Sequence, residues 1–492
     1  MHTILHRTRV WAVRLAATVV LAMVMLPIGG AVNAIRALPD LQPWHRLQSR
    51  LEPRAAEITA SFTLDQYLAR ENAVFREARA VVDDVVSKGA NALVPNRYVE
   101  GSRSHPDRVP FAGNRTQVLS AAAPRGGALL VHGLTDGPYS MRALAERLNA
   151  DGFYTLSLRM QGHGTVPGGL VDATFEDWMA AVRMGARHVR DQIGADRPLI
   201  LVGYSNGGAL LTKYALDVLD DSSLPKPAKL ILLSPMIGVS PAARFASSIS
   251  LFGPVIPKAR WIDVVPEYNP FKYNSFPANA GAQTFRLTRA LNRELLDAES
   301  RGLMAHMTPV LAFQSMVDTT VSSLAVVHDL FDHLPPGRGE LVLFDLNRQA
   351  GVDLFTRPEE ILPKLIGEKP RAYGVTLVTN TRPDTLEVSA MSVAAGASEI
   401  ATEPLGLAWP DAVYSLSHVA LPFPIDDPVY GGEGRGREMG SVSLGRLSPR
   451  GEKSVLIVPQ EVLMRLTWNP FFPYLVDRVQ QFVTRIDVVN GK

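Results

Sequence analysis

Residues 198–211 read PLILVGYSNGGALL, and within them Gly203-Tyr204-Ser205-Asn206-Gly207 brackets one serine with glycines. A serine hydroxyl is a weak nucleophile until a base takes its proton, and a histidine serving as that base needs a carboxylate to orient it. The candidate carboxylate is Asp318, in TPVLAFQSMVDTTVS, shortly after an apolar run; its other reading is an acid at the start of the helix VSSLAVVHDLF. Asp345, at the end of LVLFDLN, is the alternative acid. Of the eleven histidines, His418 follows the alternating run AVYSLSHV and enters a proline-rich loop, which makes it the candidate base. His306 is the next to test. Charge developing on a substrate oxygen requires two backbone N–H donors. The amide of Asn206, directly after the serine, is one candidate, and that of Leu134 in LLVHGLTDG is the other. His132 reads as a brace for that loop. A metal site made from His132 and His163 lacks acidic ligands at recognisable spacing, so neither metal nor cofactor is expected.

These residues need elements to carry them. The unbroken apolar run before Ser205 predicts a strand buried on both faces, and NGGALLTKYALDVL after it has helical spacing, so Ser205 falls on a tight strand-to-helix turn. Glycine on both sides fits the close backbone approach such a turn demands. The helix N-terminus beyond it favours negative charge. Strand and helix patterns alternate around this turn: GALLVHG, SMRALAERLNADG, FYTLSLR, TFEDWMAAVRMGARHVRDQI, PLILVGYS, the following helix, KLILLSP and, after an interruption, TPVLAFQS. Thr174 and Asp177 have the spacing of a capping box. Alternation of this kind implies an α/β fold with a mostly parallel sheet covered by helices on both faces.

The 492 residues carry 50 basic and 48 acidic side chains and no cysteine. The near balance and the lack of a basic run argue against a nucleic-acid partner. Absence of cysteine excludes disulfides, thiol nucleophiles and thiolate metal sites. At the N-terminus, HRTRVWAVR is basic and LAATVVLAMVMLPIGGAV is uncharged, apolar and ends in small residues. Residues 1–34 are therefore read as an export signal or a membrane anchor, which puts the chain outside the cytoplasm, periplasmic or membrane-anchored. Residues 35–112 form a helical extension, with one amphipathic helix over 63–89. The α/β core comprises 113–235 and 308–492. Residues 236–307, rich in Pro, Phe, Met, Trp and Tyr, interrupt the alternation as a cap or lid over the active edge; the other reading is a helical excursion packed on the core.

Together VHGLTDG, RMQGHGTVP, VGYSNGG and SMVDTTV resemble the α/β-hydrolase superfamily, in its carboxylesterase, monoacylglycerol lipase and lysophospholipase-like branch, to which serine aminopeptidases are similar. The resemblance covers roughly residues 115–350 and the loop at 415–430. It implies a central sheet with a cap after the sixth strand. It also implies a Ser205–Asp318–His418 triad, an oxyanion hole from Leu134 and Asn206, and hydrolysis of aliphatic or lipid-like esters without a cofactor. Amide or aminoacyl-peptide hydrolysis on the same triad, and a non-catalytic binding protein on the same fold, are the alternatives. One departure stands out. The branch places its histidine a few tens of residues after the acid, whereas Asp318 and His418 are one hundred apart. Residues 350–412, with strand-like YGVTLVTN and LEVSAMSV, are read as an insertion or additional strands before the histidine loop.

Overall fold

The computed structural model describes residues 11, 29, 30, 33–86, 96–238, 256–318, 320–350, 370–411, 413, 415–445 and 465–485. Strand β1 (Gln117–Leu119) is followed by β2 (Gly126–Val131), β3 (Phe153–Leu158), β4 (Leu199–Tyr204) and β5 (Lys229–Leu233). A small hairpin, β6 (Trp261–Asp263) and β7 (Phe276–Pro277), precedes β8 (Val310–Ser315), β9 (Gly339–Phe344), β10 (Gly374–Asn380), β11 (Glu387–Val393) and β12 (Ile400–Ala408). Ten of these make one sheet in the order β1-β3-β2-β4-β5-β8-β9-β10-β11-β12. From β3 to β10 all neighbours are parallel, and β1, β11 and β12 run antiparallel at the two edges.

Among the described residues, seven helices of six or more residues flank the sheet: α1 (Leu64–Val86), α2 (Arg142–Ala150), α3 (Phe175–Ile193), α4 (Asn206–Asp220), α5 (Ala278–Ser300), α6 (Ser323–His328) and α7 (Phe472–Thr484). The alternation of a strand sends successive side chains to opposite faces. In β4, Leu199 and Leu201 join the cluster formed with Trp178, Leu210, Tyr214 and Leu287 from α3, α4 and α5. Ile200, Val202 and Tyr204 join the other, with Leu144 of α2 and Leu475, Val479 and Phe482 of α7. Both faces are thus covered, which is why β4 reads as a continuous apolar run. Each fully buried Leu or Ile here contributes about 1.5–3 kcal/mol. Thr174 caps α3 through the Asp177 amide and Asp177 returns the bond to Thr174, closing the box expected from sequence.

The extension 35–112 packs on the core through α1, whose Leu64 and Tyr67 join the α3 side. Residues 374–408 are additional strands that widen the sheet beyond β9. Among the described residues of the alternating run before His418, a single bridge, Leu416 to Leu466, is the only strand pairing. Within 236–307, α5 packs on the core through Leu287, Leu291 and Leu295, as the helical-excursion reading expects. Residues 239–255 of the expected cap lie outside the described residues, as do 351–369 and almost all of the expected signal or anchor. Among the described residues, no helix is long and apolar enough to cross a membrane.

Candidate active site

Ser205 stands between the last residue of β4 and the first of α4, with φ 53° and ψ −116°. A non-glycine residue at positive φ is costly and persists only where its surroundings over-determine it. Here they do: the Ser205 N–H donates to Leu233 O at 2.9 Å, and Ser205 O accepts from Met236 N at 3.0 Å. The bracketing glycines are steric necessities. A Cβ at Gly207 would lie 2.1 Å from Val131 O, and one at Gly203 would lie 2.7 Å from Gly207 O. The turn therefore presses against the end of β2, and the serine is pushed out at the carboxyl edge of the sheet.

His418 and Asp318 meet it there. His418 Nδ1 lies 2.8 Å from Asp318 Oδ2, and His418 Nε2 lies 2.9 Å from Ser205 Oγ. Burial alone pushes the Asp318 carboxyl up. The hydrogen bond and charge of His418, with the N–H groups of Val321 and Thr320 at 3.1 and 2.8 Å, outweigh it and hold the group below its ordinary value. Gln314 Nε2 donates to the same Oδ2 at 3.2 Å. An ionised carboxylate only accepts, so the ring carries its proton on Nδ1 and presents a lone pair on Nε2 to the serine hydroxyl. The loop bearing His418 is fixed by Tyr204: its ring stacks on the imidazole at 5.4 Å and its Oη donates to His418 O at 3.3 Å. Ser315 Oγ, at the end of β8, donates to Leu416 O at 3.3 Å and ties the loop to the strand that delivers Asp318.

The other candidates are elsewhere or otherwise engaged. Asp345 is buried and accepts from Arg348 at 2.9 Å and from Thr379 Oγ1 at 2.7 Å. His306 lines a groove with Pro198, Lys229 and Pro309, at the amino edge of the sheet opposite Ser205. His328 and His333 pair with Asp332 and Glu299. His132 Nδ1–H donates to Gly133 O at 2.8 Å, and Nε2 accepts from Met160 N at 3.1 Å. Both nitrogens are spent, and burial lowers the ring's pKa to about 4, so His132 is a neutral brace rather than a base. The ring of His163 meets it edge-on at 4.9 Å.

Leu134 follows this braced turn at the carboxyl end of β2. Asn206 is the first residue of α4, and its N–H is among those a helix leaves without an internal partner. Sequence reasoning missed Gln314 and Tyr204, which support the acid and the histidine; only the three-dimensional arrangement reveals them.

A mostly parallel sheet covered on both faces, with a serine on a strained strand-to-helix turn, defines the α/β-hydrolase architecture. Residues 122–346, a little under half of the chain, match the family described as serine aminopeptidase, S33. Over 99 residues the chain is 38% identical to a thermostable monoacylglycerol lipase of Bacillus sp. (strain H-257). That alignment covers 19% of this chain and 38% of the lipase, so the chain spans about two fifths of the length of that relative. Among solved structures, a monoacylglycerol lipase of Paleococcus ferrophilus is 20% identical with a TM-score of 0.36, over 47% of this chain and 88% of that one. A soluble variant of monoglyceride lipase from Saccharomyces cerevisiae, in complex with a substrate analog, is 16% identical with a TM-score of 0.35, over 47% and 82%.

Proposed function

We propose that the protein is a serine hydrolase that cleaves carboxylic esters through an acyl-enzyme on Ser205, with Asp318 and His418 completing a triad. The hydrogen-bonded run from Asp318 through His418 to Ser205 Oγ supports this reading most directly. Ser205 Oγ attacks the ester carbonyl carbon as its proton passes to His418 Nε2. The Leu134 and Asn206 amides stabilise the oxygen that gains charge. The C–O bond to the alcohol then breaks, and the proton on Nε2 goes to the departing oxygen. In the second half, water gives its proton to Nε2, attacks the acyl carbon and releases the acid, with the proton returning to Ser205. Asp318 stays ionised throughout, stabilising the imidazolium.

The apolar character of 236–307 and the likeness to a monoacylglycerol lipase favour an acyl chain in the substrate, with 236–307 acting as the cap. The family description, serine aminopeptidase, favours an amide or aminoacyl bond as the second reading. The basic and apolar N-terminal run supports export and association with a membrane. Hydrolysis of p-nitrophenyl butyrate and of a monoacylglycerol, compared with aminoacyl p-nitroanilides, tests the chemistry. Ester turnover with no anilide turnover is expected; the reverse overturns the ester reading. Fractionation of cells expressing the full chain tests export, and recovery in the cytoplasm overturns it.

A further inference from the structure

Thr135, next after Leu134, has φ 61°. A β-branched residue in the left-handed region is unfavourable, and the conformation survives only if neighbours hold it. The neighbour is Tyr273, within the 236–307 segment just before β7: its N–H donates to Thr135 O at 2.7 Å. Tyr273 is itself anchored at its other end. Its buried ring sends Oη to donate to Gly162 O at 3.1 Å, and the Arg97 guanidinium lies over the ring at 5.3 Å.

The loop that receives this bond is rigid because other side chains clamp its backbone residue by residue. Gly162 N–H donates to Glu52 Oε1 at 2.9 Å. His163 O accepts from Arg159 Nε at 2.7 Å, Gly164 O from Arg97 Nη2 at 3.3 Å and Thr165 O from Tyr98 Oη at 3.2 Å. Phe271, two residues before Tyr273, stacks on Tyr139 at 4.0 Å, so this segment grips the turn following Thr135 as well.

We propose that Tyr273 is a positioning residue for the oxyanion side of the reaction: by bridging Gly162 and Thr135 it holds Thr135 left-handed and so fixes the aim of the Leu134 amide. The inference rests on the proposed hydrolase function. If the bridge is loosened, Thr135 relaxes toward negative φ and the amide turns away from the developing oxyanion. Glycine at 135 adopts positive φ without steric cost and removes the need for restraint.

Three full-length proteins decide this: wild type, Tyr273→Phe, and Tyr273→Phe with Thr135→Gly. Tyr273→Phe is expected to lower kcat on p-nitrophenyl butyrate about tenfold with KM within about twofold, because the lost interaction is realised in the transition state. Adding Thr135→Gly is expected to bring kcat back to within about threefold of wild type. Hydrogen exchange of the peptide spanning 132–137 should quicken in Tyr273→Phe while that of 199–204 is unchanged. An unchanged kcat in Tyr273→Phe overturns the proposal. So does a fall that Thr135→Gly does not repair, which would mark Tyr273 as a packing residue only. Absence of turnover in wild type refutes the hydrolase reading instead, and the exchange of 132–137 then still judges the bridge.

Discussion

The two sides of Ser205 are built by different means. On the side proposed to hold the oxyanion, Leu134 and Asn206 follow β2 and β4, neighbouring strands of one parallel sheet, and both would act through backbone groups placed by turns a few residues long. On the acid–base side, Asp318 and His418 are separated by one hundred residues and meet through side chains. Between them the chain adds β9 to β12 and returns by a loop that, among the described residues, has a single bridging pair. Turns fix the first side through local covalent geometry and steric exclusion. The second depends on a long-range tether, in which Tyr204 and Ser315 supply the fixing bonds.

Substitutions can break this comparison at either side. Ser205→Ala removes the atom both sides serve, and kcat is expected to fall on the order of 10⁵-fold or more with the thermal unfolding midpoint little changed; residual turnover near wild type would refute the mechanism. His418→Ala should cost ~10⁴-fold or more, and Asp318→Asn roughly 10³–10⁴-fold because the ring is released to the wrong tautomer. His306→Ala, at the opposite edge, should leave the rate within about twofold of wild type, and a large loss there would reassign the base.

Effects on the oxyanion side appear first in stability. Gly207→Ala places a Cβ against Val131 O and should cost at least about 2–3 kcal/mol, read from chemical denaturation; a neutral result would show that the turn can yield. The smallest effect concerns Asp136, next to Thr135. Burial raises its pKa to about 6 from an ordinary 3.8. The folded state then keeps a proton that the unfolded chain has lost. The associated stability is present below pH 3.8 and disappears as pH rises through about 6, up to a few kcal/mol. Asp136→Asn should flatten that decline between pH 4 and 6, and an unaltered slope would assign the decline to other groups.

Much of the turn around Ser205 was legible in the sequence because strand runs and Gly-x-Ser-x-Gly are local signals. Asp318 and His418 were legible as residue types near strand ends, yet their partnership depended on chain order rather than spacing. Residues 374–380 and 387–393 were readable as strands, but not that they would extend the sheet and carry the histidine loop back. Helix α5 was legible only as a helical excursion somewhere in 236–307, because it follows an irregular aromatic stretch, and α7 went unread because Pro473 and three phenylalanines mask its period. The clamp from Glu52, Arg97, Tyr98 and Tyr273 was invisible, since its bonds go to backbone carbonyls and amides that no side-chain pattern announces.

The central claim is that Ser205 is a nucleophile activated by His418. Labelling of the purified full-length chain with a fluorophosphonate, the adduct mapped by mass spectrometry with His418→Ala in parallel, tests it most directly. A single adduct on Ser205 that is lost or slowed by orders of magnitude in His418→Ala is the expected result. A folded protein that takes no label, or labels equally well without His418, would contradict the account.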